Sequence, residues 1–222
     1  MSGESITASR LPLWLKILYS AFVAVLVPHY WQAYGPTNFL YFCDIALLLT
    51  VAALWWESAL LASARALGLL LPQCLWMADF LTALAGWPLT GMTGYMFNDA
   101  IPLFARFLSF FHFWLPILLV WLVMRLGYDR RALPLWTAVA WAAMWISWLF
   151  LPAPPAPVDN TALPVNVNYV YGMNDQAPQN WMPGWAWFGL LLVALPVLIY
   201  LPTHYVLARI WADKKLPAAV ID

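Results

Sequence analysis

Residues 184–207 read GWAWFGLLLVALPVLIYLPTHYVL, 24 residues without an Asp, Glu, Lys or Arg. A helix needs about 20 predominantly apolar residues to cross a bilayer, and this stretch is long enough. Five more such runs lie upstream, at 11–31, 38–56, 59–81, 101–123 and 133–151. Pro72, Pro116 and Pro196 interrupt some of them. Inside a membrane such prolines are tolerated, because neighbouring groups can satisfy the freed carbonyls.

The whole chain agrees with that reading. Of 222 residues, 64% are hydrophobic and 9% charged, and the net charge is zero. Soluble domains carry about 25% charged residues. There is no basic run for nucleic acid, so the partner that composition implies is membrane lipid. Of the sixteen tryptophans, Trp14, Trp31, Trp55, Trp56, Trp87, Trp181 and Trp185 fall near predicted helix ends, where an indole ring is half wet. Trp141, Trp145 and Trp148 fall within a helix and read as packing or lipid-facing residues.

The ten Lys and Arg residues set the number of crossings. With six helices, Arg10, Lys16, Arg65, Arg125, Arg130, Arg131, Arg209, Lys214 and Lys215 all fall on one side, and only Arg106 falls on the other. Positive charge is retained on the cytoplasmic side. The expectation is therefore an all-α, polytopic six-helix membrane bundle forming one domain over 1–222, multi-pass in the inner (plasma) membrane, with both termini cytoplasmic. Its outer loops are 32–37, 82–100 and the long 152–183. The last begins with a proline-rich spacer and continues Asn166-Val167-Asn168-Tyr169-Val170-Tyr171-Gly172.

The intramembrane polar residues gather toward the non-cytoplasmic side, and each is costly enough to be a functional candidate. His29 closes helix 1, Asn38, Cys43 and Asp44 open helix 2, and Asp79 closes helix 3. Asp99 and Arg106 open helix 4, with His112 about 15 Å along it at 1.5 Å per residue. Asn166, Asn168 and Tyr169 hang over the same side. The sequence predicts an outward polar cavity lined by Cys43, Asp44, Asp79 and His112 and covered by residues 166–172. Structural alternatives stand beside this. Asp44, Asp79 or Asp99 can pair with Arg106, and His29 suits the headgroup layer. Cys43 and His112 are candidates for a nucleophile–base pair; alternatively His112 is a relay residue of a proton-coupled carrier with Asp44, Asp79 and Arg106. Three scattered histidines give no metal site, and no cofactor motif is present. A silent subunit that packs on a membrane-protein partner or on a second copy is a third alternative.

Three stretches carry a resemblance: Asn38-Phe39-Leu40-Tyr41-Phe42-Cys43-Asp44, Arg106-Phe107-Leu108-Ser109-Phe110-Phe111-His112, and Asn168-Tyr169-Val170-Tyr171 with Pro178 and Trp181 after it. Their order resembles the YwaF-type bacterial six-helix integral membrane proteins, which are similar in turn to eukaryotic membrane acyl hydrolases and acyltransferases. The resemblance implies Cys43 as nucleophile, His112 as base, and Asp44 and Asn168 as supporting residues. Tyr41 stands where that family often has His, and Phe113 where it often has Gly.

Overall fold

A computed structural model describes residues 9–99, 101–161 and 163–212. The two termini, with Lys214 and Lys215, lie outside the described residues. Among the described residues eight α-helices follow in order: α1 (Leu13–Tyr34), α2 (Phe42–Trp55), α3 (Ala59–Leu84), α4 (Leu103–Leu108), α5 (Phe111–Leu126), α6 (Ala132–Phe150), α7 (Gly184–Ala194) and α8 (Leu201–Trp211). The described residues contain no strand. Five units are long and apolar enough to cross a membrane: α1, α3, α4 with α5, α6, and α7 with α8. The apolar helix α2 is shorter, at 14 residues. This is the architecture of a multi-pass membrane protein.

The breaks inside the longer units have local causes. At the α4–α5 joint the backbone tightens to i→i−3 bonds, from Phe110 N to Phe107 O and from His112 N to Ser109 O. The Ser109 hydroxyl also bonds back to Ala105 O at 3.2 Å, which competes with the helical ladder. Between α7 and α8 the chain forms a π-helical stretch, Leu195–Tyr200, that contains Pro196. Proline strips a partner from the carbonyl four residues earlier, here Leu192. The Trp141 indole of α6 supplies the replacement at 2.9 Å. Trp145 and Trp148 pack on Phe188 of α7, while Trp141 and Trp145 also stay exposed on the bundle surface.

Helix α3 is the hub, in contact with α2, α5, α6 and α8. Its approach to α6 depends on Gly68, where a Cβ would lie 1.9 Å from the buried Trp136 ring. Any side chain at this position displaces that ring.

One end of the bundle is basic. Glu57, between α2 and α3, accepts from the Ser9 hydroxyl, from Arg10 N at 2.8 Å and from Lys16 Nζ at 2.7 Å. Arg125 donates to Arg10 O, Asp129 N to Ser63 Oγ, and Tyr128 OH meets His204 Nδ1. These contacts, with a bond from Tyr128 N to Trp211 O, bring the start of α1, the α2–α3 turn, the α5–α6 loop and α8 together. Arg10, Lys16, Arg65, Arg125, Arg130, Arg131 and Arg209 all belong to this end. Arg106 is at the other, as the charge pattern requires. The seven tryptophans expected at helix ends are exposed there.

The second helix differs from expectation. Residues 38–56 read as one apolar run, but residues 36–40 form a 3₁₀ turn and Tyr41 is extended, with φ −60° and ψ 140°. Helix α2 starts only at Phe42. At about 1.5 Å per residue it is roughly 21 Å long, against roughly 39 Å for α3. Both helices leave the basic end together, so α2 stops about 18 Å short of the far end of α3. The missing length is filled by chain from the long loop. Val165, Asn166, Val167, Asn168 and Val170 are all buried.

Candidate functional site at the recessed start of α2

The first amide of α2, Phe42 N, bonds to Asn168 Oδ1 at 3.0 Å, and Asn168 Nδ2 donates to Leu40 O at 2.8 Å. One side chain, 126 residues downstream in sequence, thus closes the start of the helix. It reaches there through unusual backbone. Asn166, Asn168 and Tyr169 all have positive φ, at 50°, 60° and 61°. Asn tolerates this region; for Tyr169 it costs about 1 kcal/mol. Asn166 holds the turn with Nδ2 bonds to Gly172 O and Asn174 O and an Oδ1 bond from Tyr171 N. The Tyr171 hydroxyl donates to Trp148 O and Leu151 O at the end of α6. Tyr169 contributes its carbonyl to the Trp187 indole at 2.9 Å. Strained backbone held this firmly concentrates at functional sites.

Asp44 lies in the first turn of α2, where the helix dipole favours a carboxylate. It is 3% exposed. Its Oδ2 accepts from Asn38 Nδ2 at 3.2 Å, and Oδ1 is buried with no partner. The Cys43 thiol lies 3.9 Å from Asp44 Oδ2. A carboxylate neighbour disfavours a thiolate. Both cysteines are free thiols, with Cys74 exposed on α3.

His112 belongs to an adjoining set. Its Nδ1 lies 2.7 Å from Ser109 O. A carbonyl can only accept, so Nδ1 carries the proton and Nε2 is the bare lone-pair nitrogen. No described protein group bonds to Nε2. The ring lies against Trp76 of α3 at 4.6 Å and Phe111 at 4.1 Å. The Ser109 hydroxyl meets Tyr30 OH of α1 at 2.8 Å. Tyr95, in the loop before α4, links the two sets. Burial pushes its phenol well above the ordinary value, Ser109 moderates the rise, and the Cys43 and Asp44 charges add to it. The Tyr95 hydroxyl therefore lies within electrostatic reach of both halves of the site.

The residues expected to line a common cavity separate into groups. Asp44, Cys43 and Asn168 meet at the start of α2, and His112 stands beside them through Tyr95. No hydrogen bond joins Cys43 to His112, because the thiol faces Asp44 and the imidazole proton faces Ser109 O. Asp79 does not line the site. Fully buried, it accepts from Thr90 N, Gly91 N, Thr93 N and Thr93 Oγ1, and it anchors the α3–α4 loop. Arg106 pairs with exposed Asp99 at 3.5 Å and donates to Met96 O. His29 packs edge-on against Phe104 at 5.0 Å, and its Nε2 has no partner.

Tyr30, Trp76, Tyr95 and Ser109 join the site without having been singled out in the sequence. Ser109 carried a usable signal, since a carbonyl three residues before a buried helical histidine is within reach of its ring. Gln73 was also missed. It is buried on α3, and its Oε1 has no partner. No group of three or more His, Cys, Asp or Glu suited to a metal occurs among the described residues. No family model, curated protein or solved structure matches the chain. The YwaF-type likeness therefore rests on its three motifs alone.

Proposed function

We propose that this is a multi-pass protein of the inner (plasma) membrane whose basic end is cytoplasmic. Its recessed α2 start then forms a site, reached from the opposite leaflet, for the polar head of a membrane amphiphile. The observation that carries this reading is Asp44 Oδ1, a buried carboxylate oxygen with no donor. Buried polar groups left unsatisfied are rare in folded proteins, and a ligand donor is the economical explanation. Tyr30 and Tyr34, edge to face at 5.3 Å, stand within electrostatic range of Asp44. A carboxylate near aromatic rings favours an ammonium head.

The test is binding of dodecylamine and dodecyl sulfate to the detergent-purified protein. The amine is expected to bind and the sulfate not. Asp44→Asn is expected to lower amine affinity at least tenfold. Equal affinity of the two proteins for the amine overturns the reading.

A second reading is acyl transfer or acyl-ester cleavage through Cys43, favoured by the bare Nε2 of His112, which is suited to a base. It requires Cys43 to leave Asp44 and reach His112. Turnover of a chromogenic long-chain acyl ester by the purified protein, lost in Cys43→Ala, supports it. Turnover unchanged in that variant removes it.

A further inference from the structure

Among the described residues, two buried side-chain carboxyl or amide oxygens lack a donor: Asp44 Oδ1 and Gln73 Oε1. The second belongs to α3. Gln73 is 3% exposed, while Leu71, Cys74 and Leu75 beside it are exposed, so the amide is on the inward face of the helix. A polar group at such a place in a membrane helix is costly without a partner. Gln73 stands one helical turn from Trp76, on the same face. Trp76 stacks on His112 and interacts with Tyr95, which feels the Asp44 charge. Measured from the basic end at about 1.5 Å per residue, Asp44 is about 17 Å along α2, Gln73 about 21 Å along α3 and His112 about 21 Å along α5. Helix α3 packs against both α2 and α5. Asp44 Oδ1, Gln73 Oε1 and the bare His112 Nε2 thus form a layer of three acceptors at a similar depth.

We propose that Gln73 sets the specificity of the Asp44 site, which selects a primary ammonium head over a fully methylated one. The proposal rests on the reading of that site as an amphiphile-head site, and it adds what the head must carry. A primary ammonium brings three N–H donors. Asp44 Oδ1 accepts one in a charge-assisted bond, and Gln73 Oε1 and His112 Nε2 accept the others. A trimethylammonium head has the same charge and the same attraction to aromatic rings, but no donor. It would leave all three acceptors buried and unpaired, and a site built to hydrogen-bond its ligand strongly rejects an analogue that lacks the donors.

The test is titration of the full chain in maltoside micelles with dodecylamine and with dodecyltrimethylammonium. Dodecylamine is expected to bind about thirtyfold more tightly, or better. Gln73→Leu is expected to weaken dodecylamine about tenfold and dodecyltrimethylammonium less than about twofold, because only the amine loses a bond. A purely structural role of Gln73 would weaken both ligands alike. If that variant does not fold, the comparison of the two amphiphiles on the unaltered protein still decides the matter. Equal binding of both, with both lost in Asp44→Asn, overturns the proposal and leaves the head site standing. Binding of neither removes the head site and the proposal together. An equal loss of the two ligands in Gln73→Leu, or no loss of dodecylamine, removes Gln73 from its role. Competition separates the two sources of a primary ammonium. Displacement of dodecylamine by lysophosphatidylethanolamine but not by lysophosphatidylcholine supports the proposal with an aminophospholipid as ligand. Displacement by neither supports it with a free long-chain amine. Equal displacement by both overturns it.

Discussion

The two long loops at the end away from the basic residues are each tied down by buried polar side chains, yet the ties differ. The α3–α4 loop closes on Asp79, whose two oxygens take four donors. The α6–α7 loop closes on Asn166 and Asn168, and the latter secures the recessed start of α2. Beside that second tie stands Asp44, with one oxygen bonded to Asn38 and one to nothing. Two buried carboxylates at one end of a bundle therefore do different work. A saturated carboxylate stabilises the fold, and a half-satisfied one costs stability, a cost that a ligand donor would offset.

The largest expected effect follows from breaking the saturated tie. Asp79→Ala removes a charged acceptor from three backbone N–H groups and a hydroxyl, at about 1.5–3 kcal/mol for a bond to a charged group. A loss of about 4 kcal/mol is expected in denaturant unfolding in micelles, with new proteolysis in the α3–α4 loop. A loss below about 1 kcal/mol would mean that the loop is held by its apolar contacts instead.

Asn168→Ala is next. It deletes two hydrogen bonds of about 1 kcal/mol each and places Ala in the left-handed region, for a total of about 3 kcal/mol. Hydrogen exchange is expected to speed up at the Phe42 amide while the α3–α4 loop stays protected. Asn168→Gly keeps the backbone freedom and is expected to cost less. Equal exchange at both loops would mean that the two ties are coupled.

The basic end offers a third, nearly saturated carboxylate. Glu57 is partly shielded from water, which alone would raise its pKa. The bonds from Lys16, Ser9 and the Arg10 and Leu11 amides overcome this and hold it at about 2, against an ordinary 4.5. With the folded value depressed, its contribution is present above about pH 4.5 and fades as pH falls toward 2. Protease access near Ser9–Leu11 is therefore expected to rise over that window. Glu57→Gln should show high access at every pH, and an unchanged acid profile in that variant would locate the titration elsewhere.

Much of this fold was legible in the sequence. Apolar length and the one-sided arginines set the helix units, because spanning length and charge retention are composition-level constraints. The start of α2 was not legible. Residues 38–56 are continuously apolar apart from Asn38, Asp44 and Thr50, and the residue that ends the helix early is Asn168, supplied by another part of the chain. The place of Asp79 was not legible either, since three of its partners are backbone amides, which carry no sequence mark. Cys43 and His112 were correctly placed toward one end. Their actual partners, Asp44 and Ser109 O, are local, and the long-range pairing that the motif order implies is absent from the hydrogen bonds.

The smallest stability effect is expected at the site itself. Asp44→Asn retains the shape and one bond to Asn38 and removes a carboxyl with one unpartnered oxygen, so unfolding stability should change by less than about 1 kcal/mol. The direct measurement is labelling with a hydrophobic carbodiimide in membranes, with adducts located by peptide mass spectrometry. Modification is expected at Asp44, suppressed by dodecylamine, with Asp79 untouched. Labelling of Asp79 in preference to Asp44, or labelling of Asp44 that dodecylamine leaves unchanged, would contradict the assignment of Asp44 as the open half of the pair.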